Sequence, residues 1–214
     1  MRVTVPQMAT LQFDFDAVKL GQALAYLSLE IHDLTKLKAA KLLYFVDKEH
    51  LVRHGRPITG DRYYCLDHGP VPSASLNAIN DLINPVRIKI GGKTLEHSMS
   101  KVLGEFLQVE RKGAHPRLKA RLPVDQLDAL TATEREVLDA VAARYGRWSA
   151  GKLIDETHRE RPWITANAAR AVGSSVEIPW EALLEAADES VRQQIADHQE
   201  SSAFLRALQK SSQR

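Results

Sequence analysis

The stretch Leu42-Leu43-Tyr44-Phe45-Val46 is apolar in nearly every direction around a helical wheel. A helix with apolar residues on all sides is surrounded by the rest of its domain rather than lying on its surface. The pattern therefore predicts a central core helix. We expect this helix to begin at Asp33 or Thr35 and to end at His54, because Gly55 follows as a helix stop.

Further helices are predicted where a capping residue precedes apolar residues at helical spacing. Asp14 or Asp16 is placed to cap a first helix that ends near His32. A later helix is predicted over 74–83 with Ser73 as its cap, and another after the capping box Thr131-Ala132-Thr133-Glu134. A third is predicted from Ser149 to His158, with Arg161-Pro162 as its stop. The last two are predicted from Trp180, with Pro179 in the first turn, and over 190–208.

A small sheet is predicted between these helices. Residues 62–66 are an aromatic run with strand propensity. His68-Gly69-Pro70-Val71-Pro72 is expected to be a rigid turn, because a proline biases the residue before it toward extended conformations. Residues 86–90 alternate apolar and basic side chains and are predicted to form a hairpin with 93–97 through Gly91-Gly92.

The predicted fold class is α+β and mainly α-helical: a helical domain around a central buried helix, with a small antiparallel β-sheet. We expect the strand at Tyr63 to pair with the 86–97 hairpin in that sheet. Residues 103–121 show no clean period and are expected to be loop with short elements.

The composition excludes several classes of protein. Cys65 is the single cysteine among 214 residues, so no internal disulfide or cysteine zinc cluster is expected, which fits a reducing compartment. The sequence shows no leader pattern and no apolar run of about 18 residues, so we expect a cytoplasmic protein without a membrane segment. A net charge of +2 at pH 7 gives no overall reason to expect nucleic-acid binding.

The near-neutral total conceals charged segments of opposite sign. Residues 36–56 and 101–121 each hold six Lys or Arg against two acidic residues, whereas 177–200 holds seven acidic residues against Arg192. These segments could close one part of the fold on another, form two partner surfaces, or be solvated helix faces.

Two groups of side chains have spacings that chemistry would use. Cys65 and His68 lie within four residues, as a nucleophile and a base would, but in a strand their side chains point to different faces. Asp47, His50 and His54 share one helical stripe and are a candidate metal site, although no fourth ligand is evident and such a stripe also suits a helix facing water. We therefore predict no catalytic residues, no metal and no cofactor.

A third group is basic. Lys38, Lys41, Phe45 and Lys48 fall within one sector of the central helix. An aromatic side chain between lysines could stack a base, pack in the core, or anchor a protein partner. All three interpretations stay open on the sequence alone.

Four ordered stretches carry a resemblance to a known family. They are Leu34-Thr35-Lys36-Leu37-Lys38 leading into Lys41-Leu42-Leu43-Tyr44-Phe45, Gly55-Arg56-Pro57-Ile58, Asp67-His68-Gly69-Pro70-Val71-Pro72, and Thr157-His158 with Pro162-Trp163. Over roughly residues 17 to 165 the chain resembles the Panacea domain family, the SocA-like antitoxins of bacterial and phage toxin–antitoxin loci. It departs from the family at His68, where an aromatic residue is more frequent.

The resemblance implies a helical domain without a catalytic centre, which neutralises a cognate protein toxin by binding it. In one type of member the antitoxin is a proteolytic adaptor that presents the toxin to a AAA+ protease. The expected division is an antitoxin domain over 1–165 and a C-terminal helical extension over 166–214. The partner-binding candidates are Lys41, Phe45, Tyr64, His68, Gly69, Pro70, Val71 and Trp163.

Two other functions stay open. A DNA-binding regulator of its own operon would use the basic helix, and a hydrolase would use His68 or His158. The sequence names neither the toxin nor the oligomeric state.

Overall fold

The computed structural model describes residues 11–85, 88–90, 93–95 and 98–197. Its helices are α1 (Ala17–Glu30), α2 (Lys36–His54), α3 (Ser73–Ile83), α4 (Ser98–Phe106), α5 (Ala132–Tyr145), α6 (Ala150–Thr157), α7 (Arg161–Ala168) and α8 (Trp180–Leu183). Residues 189–197 are also helical. Its strands are β1 (Tyr63–Leu66), β2 (Gly69–Pro72), β3 (Ile88–Ile90), β4 (Lys93–Leu95), β5 (Leu107–Glu110), β6 (Arg117–Ala120) and β7 (Val176–Ile178). The mainly helical α+β class is confirmed.

Helix α2 lies at the centre of the fold. Thr35 caps its start by accepting a hydrogen bond from the Lys38 amide, and Gly55 ends it in the left-handed conformation at φ 72°. Leu42 and Leu43 are fully buried, and α3, α5, α6 and β2 all pack against this helix. The predicted central core helix is confirmed.

The other predicted cap residues are confirmed with one exception. Asp16 caps α1, Thr131 and Glu134 form the capping box of α5, and Ser149 caps α6. Each cap satisfies backbone amides that have no partner inside the first turn.

The exception is Ser73, whose predicted role as the cap of α3 is wrong. Ser73 is the first helical residue, and Pro72 in the cap position offers no side-chain hydrogen bond. The carboxylate of Asp61 instead accepts from the Ala74 amide at 3.0 Å and from the Ser75 amide at 2.6 Å. A cap that arrives from an earlier loop leaves no mark in the sequence next to the helix.

The predicted pairing of the Tyr63 strand is also wrong. Strand β1 lies in the middle of a three-stranded antiparallel sheet, between β2 and β7. Residues 69–72 are therefore a strand rather than a turn, and the turn itself is Asp67-His68. Strands β3 and β4 pair with each other as predicted, in a separate sheet; their Gly91-Gly92 linker lies outside the described residues.

The short elements expected among the loop residues 103–121 take up most of that range. They are the end of α4 and the antiparallel hairpin of β5 and β6. Similarly, Arg161-Pro162 does not only stop α6, because it also begins α7, with Pro162 in the first turn where its missing amide hydrogen is not needed.

The chain beyond residue 165 contributes to the same sheet and core. Strand β7 pairs with β1, and the side chains of Trp180, Leu183 and Leu184 are buried in the core. Pro179 occupies the cap position of α8 rather than its first turn. Residues 198–208 of the predicted terminal helix lie outside the described part, and the division at residue 165 stays a prediction.

Within the described ranges, no helix combines the length and the apolar character that a bilayer crossing requires.

Candidate partner-binding surface

The β1–β2 hairpin presents a two-residue turn at the surface. Tyr64 pairs with Val71 and Leu66 pairs with Gly69, so Asp67 and His68 connect the two strands. Both turn residues are exposed, whereas Gly69 and Pro70 immediately after them are buried. The hairpin therefore has an exposed tip and a buried base.

Lys41 of α2 contacts the buried base of the hairpin. Its side chain is fully buried, and its Nζ donates a hydrogen bond of 2.7 Å to the Pro70 carbonyl. Gly69 has φ +92°, and a Cβ at this position would lie 2.9 Å from Lys41 Nζ and 2.5 Å from Thr157 Oγ1. Only glycine fits, because it accepts the positive φ and leaves room for both side chains.

Burial lowers the pKa of the Lys41 ammonium to about 7. Removing an ammonium from water disfavours its charged form unless an anion compensates. Among the described residues, Lys41 has no carboxylate ion pair. The Cys65 thiol is the one group that opposes this lowering of the pKa.

Two side chains of the α6–α7 region, Trp163 and His158, pack together beside the hairpin turn. Trp163 Nε1 donates to the Leu66 carbonyl at 3.2 Å. The His158 ring stacks on Trp163 with centroids 3.9 Å apart. Trp163 is half-buried and thus serves as a cover for the hairpin.

Arg170 also binds the turn, although no pattern in the sequence predicted this role. Its guanidinium forms an ion pair with the Asp67 carboxylate. It also donates to Asn167 Oδ1 at 3.2 Å and to the Ser174 carbonyl at 3.0 Å. Arg170 therefore links the hairpin tip to the loop between α7 and β7. A surface-loop arginine in a sequence without a motif around it gives no signal of this role.

The exposed part of this region contains polar and apolar side chains. Ile164 on α7 is 49% exposed and Val172 in the α7–β7 loop is fully exposed. Tyr64 and Val71 are half-buried, and the Tyr64 hydroxyl donates to Glu177 at 3.4 Å. We call the following set the hairpin-tip surface: Tyr64, Asp67, His68, Val71, Ile164 and Val172.

Cys65 lies inside the hairpin as a buried residue. Its Sγ lies 3.9 Å from the Trp163 carbonyl and 3.9 Å from Asn167 Oδ1. Burial raises the pKa of the thiol, so the nucleophilic thiolate is disfavoured. A small structural cysteine accounts for this geometry better than a nucleophile.

The basic sector of α2 is not a surface. Lys38, Lys41 and Phe45 are buried, and the Phe45 ring stacks on Tyr145 with centroids 4.3 Å apart. Of the three interpretations, core packing is the one that the structure shows. Lys41 and Phe45 are thus buried rather than exposed in this structure, and their role in partner binding stays a prediction.

The candidate metal ligands of α2 have other partners. Asp47 is buried and accepts hydrogen bonds from the Ile58 and Thr59 amides and from the Tyr63 hydroxyl. His50 Nδ1 lies 2.7 Å from the Arg56 carbonyl. In the part of the chain that the structure describes, no three His, Cys, Asp or Glu side chains are grouped to hold a metal ion.

The described residues thus form a mainly helical domain whose central helix is hydrogen-bonded to the β1–β2 hairpin. The family model described as Antitoxin SocA-like, Panacea domain, matches residues 40–164, more than half of the chain. The chain therefore belongs to this family of SocA-like antitoxins. No curated protein and no solved structure matches it.

The matched region contains most of the side chains that pack at the base and turn of the hairpin. Lys41, the hairpin itself, His158 and Trp163 fall within it, whereas Arg170 lies beyond its end. Three of the four stretches that carry the resemblance thus meet at the base of the hairpin. The remaining stretch, 55–58, packs near Asp47 and His50 instead.

Proposed function

We propose that this protein neutralises a cognate protein toxin by binding it directly through the hairpin-tip surface, without catalysis. Membership of the SocA-like antitoxin family supports an antitoxin role in general. The observation that supports this surface is the exposed turn Asp67-His68 in a hairpin that three side chains hold in place: Lys41, Trp163 and Arg170.

A fixed turn suits protein recognition for an energetic reason. Ordering a loop during association costs free energy, so a loop that is already held binds more tightly than a mobile one. Helix α7 and the α7–β7 loop, which contribute Trp163 and Arg170 to the hairpin, also carry the exposed apolar side chains of Ile164 and Val172. Apolar anchors within a polar rim are the usual composition of a binding hot spot.

Neutralisation could proceed by sequestration or by delivery to a AAA+ protease. We propose delivery as the finer mechanism, since adaptor antitoxins occur among the proteins that the sequence resembles. In cells that carry the protease, the toxin's half-life should then shorten when this protein is present. An unchanged half-life with toxicity still suppressed would favour sequestration. We propose the cytoplasm as its location, because delivery requires a cytoplasmic AAA+ protease.

The direct test is co-expression with the product of the neighbouring gene. We expect that product to arrest growth alone, to be tolerated with this protein, and to co-purify with it. A neighbouring product that is harmless, or that stays toxic in the presence of this protein, contradicts the proposal.

The hydrolase alternative is tested in the same assay. Because His68 and His158 would carry such chemistry, the double variant His68→Ala with His158→Gln should lose all neutralisation if the protein is a hydrolase. Binding predicts that the toxin and the double variant still form a complex, with at most reduced affinity. DNA binding has less support, because two of the three lysines it would use are buried.

A further inference from the structure

A second hairpin, formed by β5 and β6, presents basic side chains on a face that the proposed toxin binding does not use. It belongs to a different sheet from the β1–β2 hairpin. The Leu118 amide donates a hydrogen bond of 2.9 Å to the Leu34 carbonyl, and Thr35 forms a β-bridge with Arg117. Strand β6 is therefore attached to the start of α2.

The side chains of this hairpin alternate between the core and the surface. Leu118 is fully buried, and a strand places successive side chains on opposite faces. Its neighbours Arg117 and Lys119 fall on the other face, where Glu110 lies opposite Arg117 in the pairing register. The packed inner face thus fixes the position of the basic outer face.

The outer face borders an open concavity of about 540 Å³. Its lining residues are His32, Glu110, Lys112, Gly113, Arg117 and Lys119. The Lys119 ammonium is held there by a hydrogen bond of 3.0 Å to the His32 carbonyl. Gly113 turns the connecting loop at φ +90°, and Arg117 Nη2 lies 3.9 Å from the position that a Cβ would take on it. The guanidinium therefore lies beside the loop that carries Lys112.

The three cations of this concavity are not neutralised within the described ranges. There, Lys112, Arg117 and Lys119 form no ion pair with a carboxylate, although Glu110 lies opposite Arg117. We call these three side chains the basic hairpin face. Clustered charges of one sign at a concave surface attract ligands of the opposite sign, so this face suits a polyanion.

We propose that the basic hairpin face binds the phosphate backbone of duplex DNA, independently of its sequence. Arg and Lys side chains are the usual donors to phosphate oxygens. Aromatic side chains stack the bases of single strands and anchor protein partners, but residues 107–121 contain no Phe, Tyr or Trp. The composition of this hairpin therefore favours contacts with a duplex backbone over both of those partners.

The shape of the hairpin favours DNA over RNA. A two-stranded β-ribbon fits the major groove of B-form DNA, whereas the major groove of an A-form RNA helix is too deep and narrow for side chains to enter. Residues 111–115 at the end of the hairpin are exposed, so this end is free to approach a duplex. The surface is distinct from the basic sector of α2, whose Lys38 and Lys41 are buried.

DNA binding is tested on the purified full chain without a toxin, so its failure is separate from a failure of the proposed function. The probe is a fluorescein-labelled DNA duplex of about 20 base pairs and arbitrary sequence, followed by fluorescence anisotropy at several salt concentrations. The test variant is Lys112→Gln with Arg117→Gln. The control is Lys152→Gln with Arg159→Gln, which removes the same charge from exposed positions on α6.

We expect wild type to bind the duplex with a Kd of about 10⁻⁴ to 10⁻⁶ M at physiological salt. Because three phosphate contacts release about three counterions, binding should weaken about 40-fold between about 50 and 200 mM salt. The hairpin variant should bind at least about tenfold more weakly, and the slope of log K against log salt should fall by about 2. The α6 control should keep the affinity and the slope of wild type.

Four results would overturn DNA binding by this face. They are no binding at low salt, an equal loss of affinity in both double variants, tighter binding to an RNA duplex of the same length, and tighter binding to a labelled polyglutamate peptide, which would indicate an acidic protein partner. If the double variant at the hairpin does not fold, Lys112→Glu decides, because this side chain lies in the exposed loop and its reversal must weaken binding to the duplex.

Discussion

Lys41 Nζ lies 2.7 Å from the carbonyl oxygen of Pro70, and this hydrogen bond joins the central helix to the hairpin. It places a lysine in the core, where the pKa of its ammonium falls to about 7 because of burial. The same lysine and the neighbouring Thr157 allow only glycine at position 69. Lys41 of the central helix and the Gly69-Pro70-Val71 motif therefore pack together as one unit.

The stability of the protein should depend on the protonation of Lys41. The folded pKa lies below the unfolded value near 10.5, so the unfolded state binds more protons between these values and stability rises with pH there. For one group the slope approaches 1.4 kcal/mol per pH unit. Urea unfolding of wild type and Lys41→Met at pH 7, 8 and 9 measures it.

Both proteins carry Cys65→Ala in this comparison, because Cys65 and Lys41 influence each other's pKa. The difference between them then isolates Lys41, because Tyr44, whose pKa is raised by burial, acts in both. We expect the stability of wild type relative to Lys41→Met to increase steadily over this window. A constant difference from pH 7 to 9 would show that the Lys41 pKa is not lowered.

Gly69→Ala should destabilise the protein by about 2–4 kcal/mol, since it combines a positive φ with a close contact in the core. Gly173→Ala is the matched control: its φ is +75° and no atom lies within 4 Å of the added Cβ. We expect the control to lose only about 1 kcal/mol. Thermal and urea unfolding of both variants compare them. Equal losses would mean that Lys41 and Thr157 do not limit the space at Gly69.

Asp61→Ala should cost about 1–3 kcal/mol, because two backbone amides at the start of α3 lose a charged acceptor. Ser73→Ala should cost less than about 0.5 kcal/mol, because Ser73 is the first residue of α3 rather than its cap. Urea unfolding separates the two. A larger loss of stability for Ser73→Ala than for Asp61→Ala would mean that Ser73 caps the helix, as the sequence predicts.

The sequence predicts the helical body well for physical reasons. Caps such as Thr35, Asp16 and the Thr131–Glu134 box act within one turn of their own helix, so their pattern is visible in neighbouring residues. The all-round apolar stretch of α2 likewise needs no knowledge of what packs against it.

The sheet and the site depend on partners far along the chain. Strand β1 pairs with β7 more than 110 residues later, and Asp61 caps a helix from outside it. The basic sector of α2 suggested a surface, but a lysine can be buried when a backbone carbonyl accepts a hydrogen bond from its ammonium, which the spacing of charges does not reveal. Arg170 lay beyond every motif and acts only through the folded loop.

Arg170→Gln should weaken toxin binding, because the turn and the α7–β7 loop lose their shared anchor. The Arg170 side chain is only 10% exposed and also bonds Asn167 and the Ser174 carbonyl, so we expect a loss of stability of about 1–2 kcal/mol as well. Arg159→Gln is the control, because its ion pair with Glu156 lies on exposed α6 surface. Affinity for the toxin and the unfolding midpoint are measured for both. Equal affinities would remove Arg170 from the site.

Binding at the hairpin-tip surface is tested most directly by the affinity of the purified toxin for Val172→Asp and Val124→Asp, measured by calorimetric titration. Both valines are exposed, Val172 fully and Val124 at 44%, but only Val172 belongs to this surface. We predict at least a tenfold loss of affinity for Val172→Asp, about 1.4 kcal/mol, and wild-type affinity for Val124→Asp. Wild-type affinity in Val172→Asp, or an equal loss in both variants, would contradict binding through the hairpin tip.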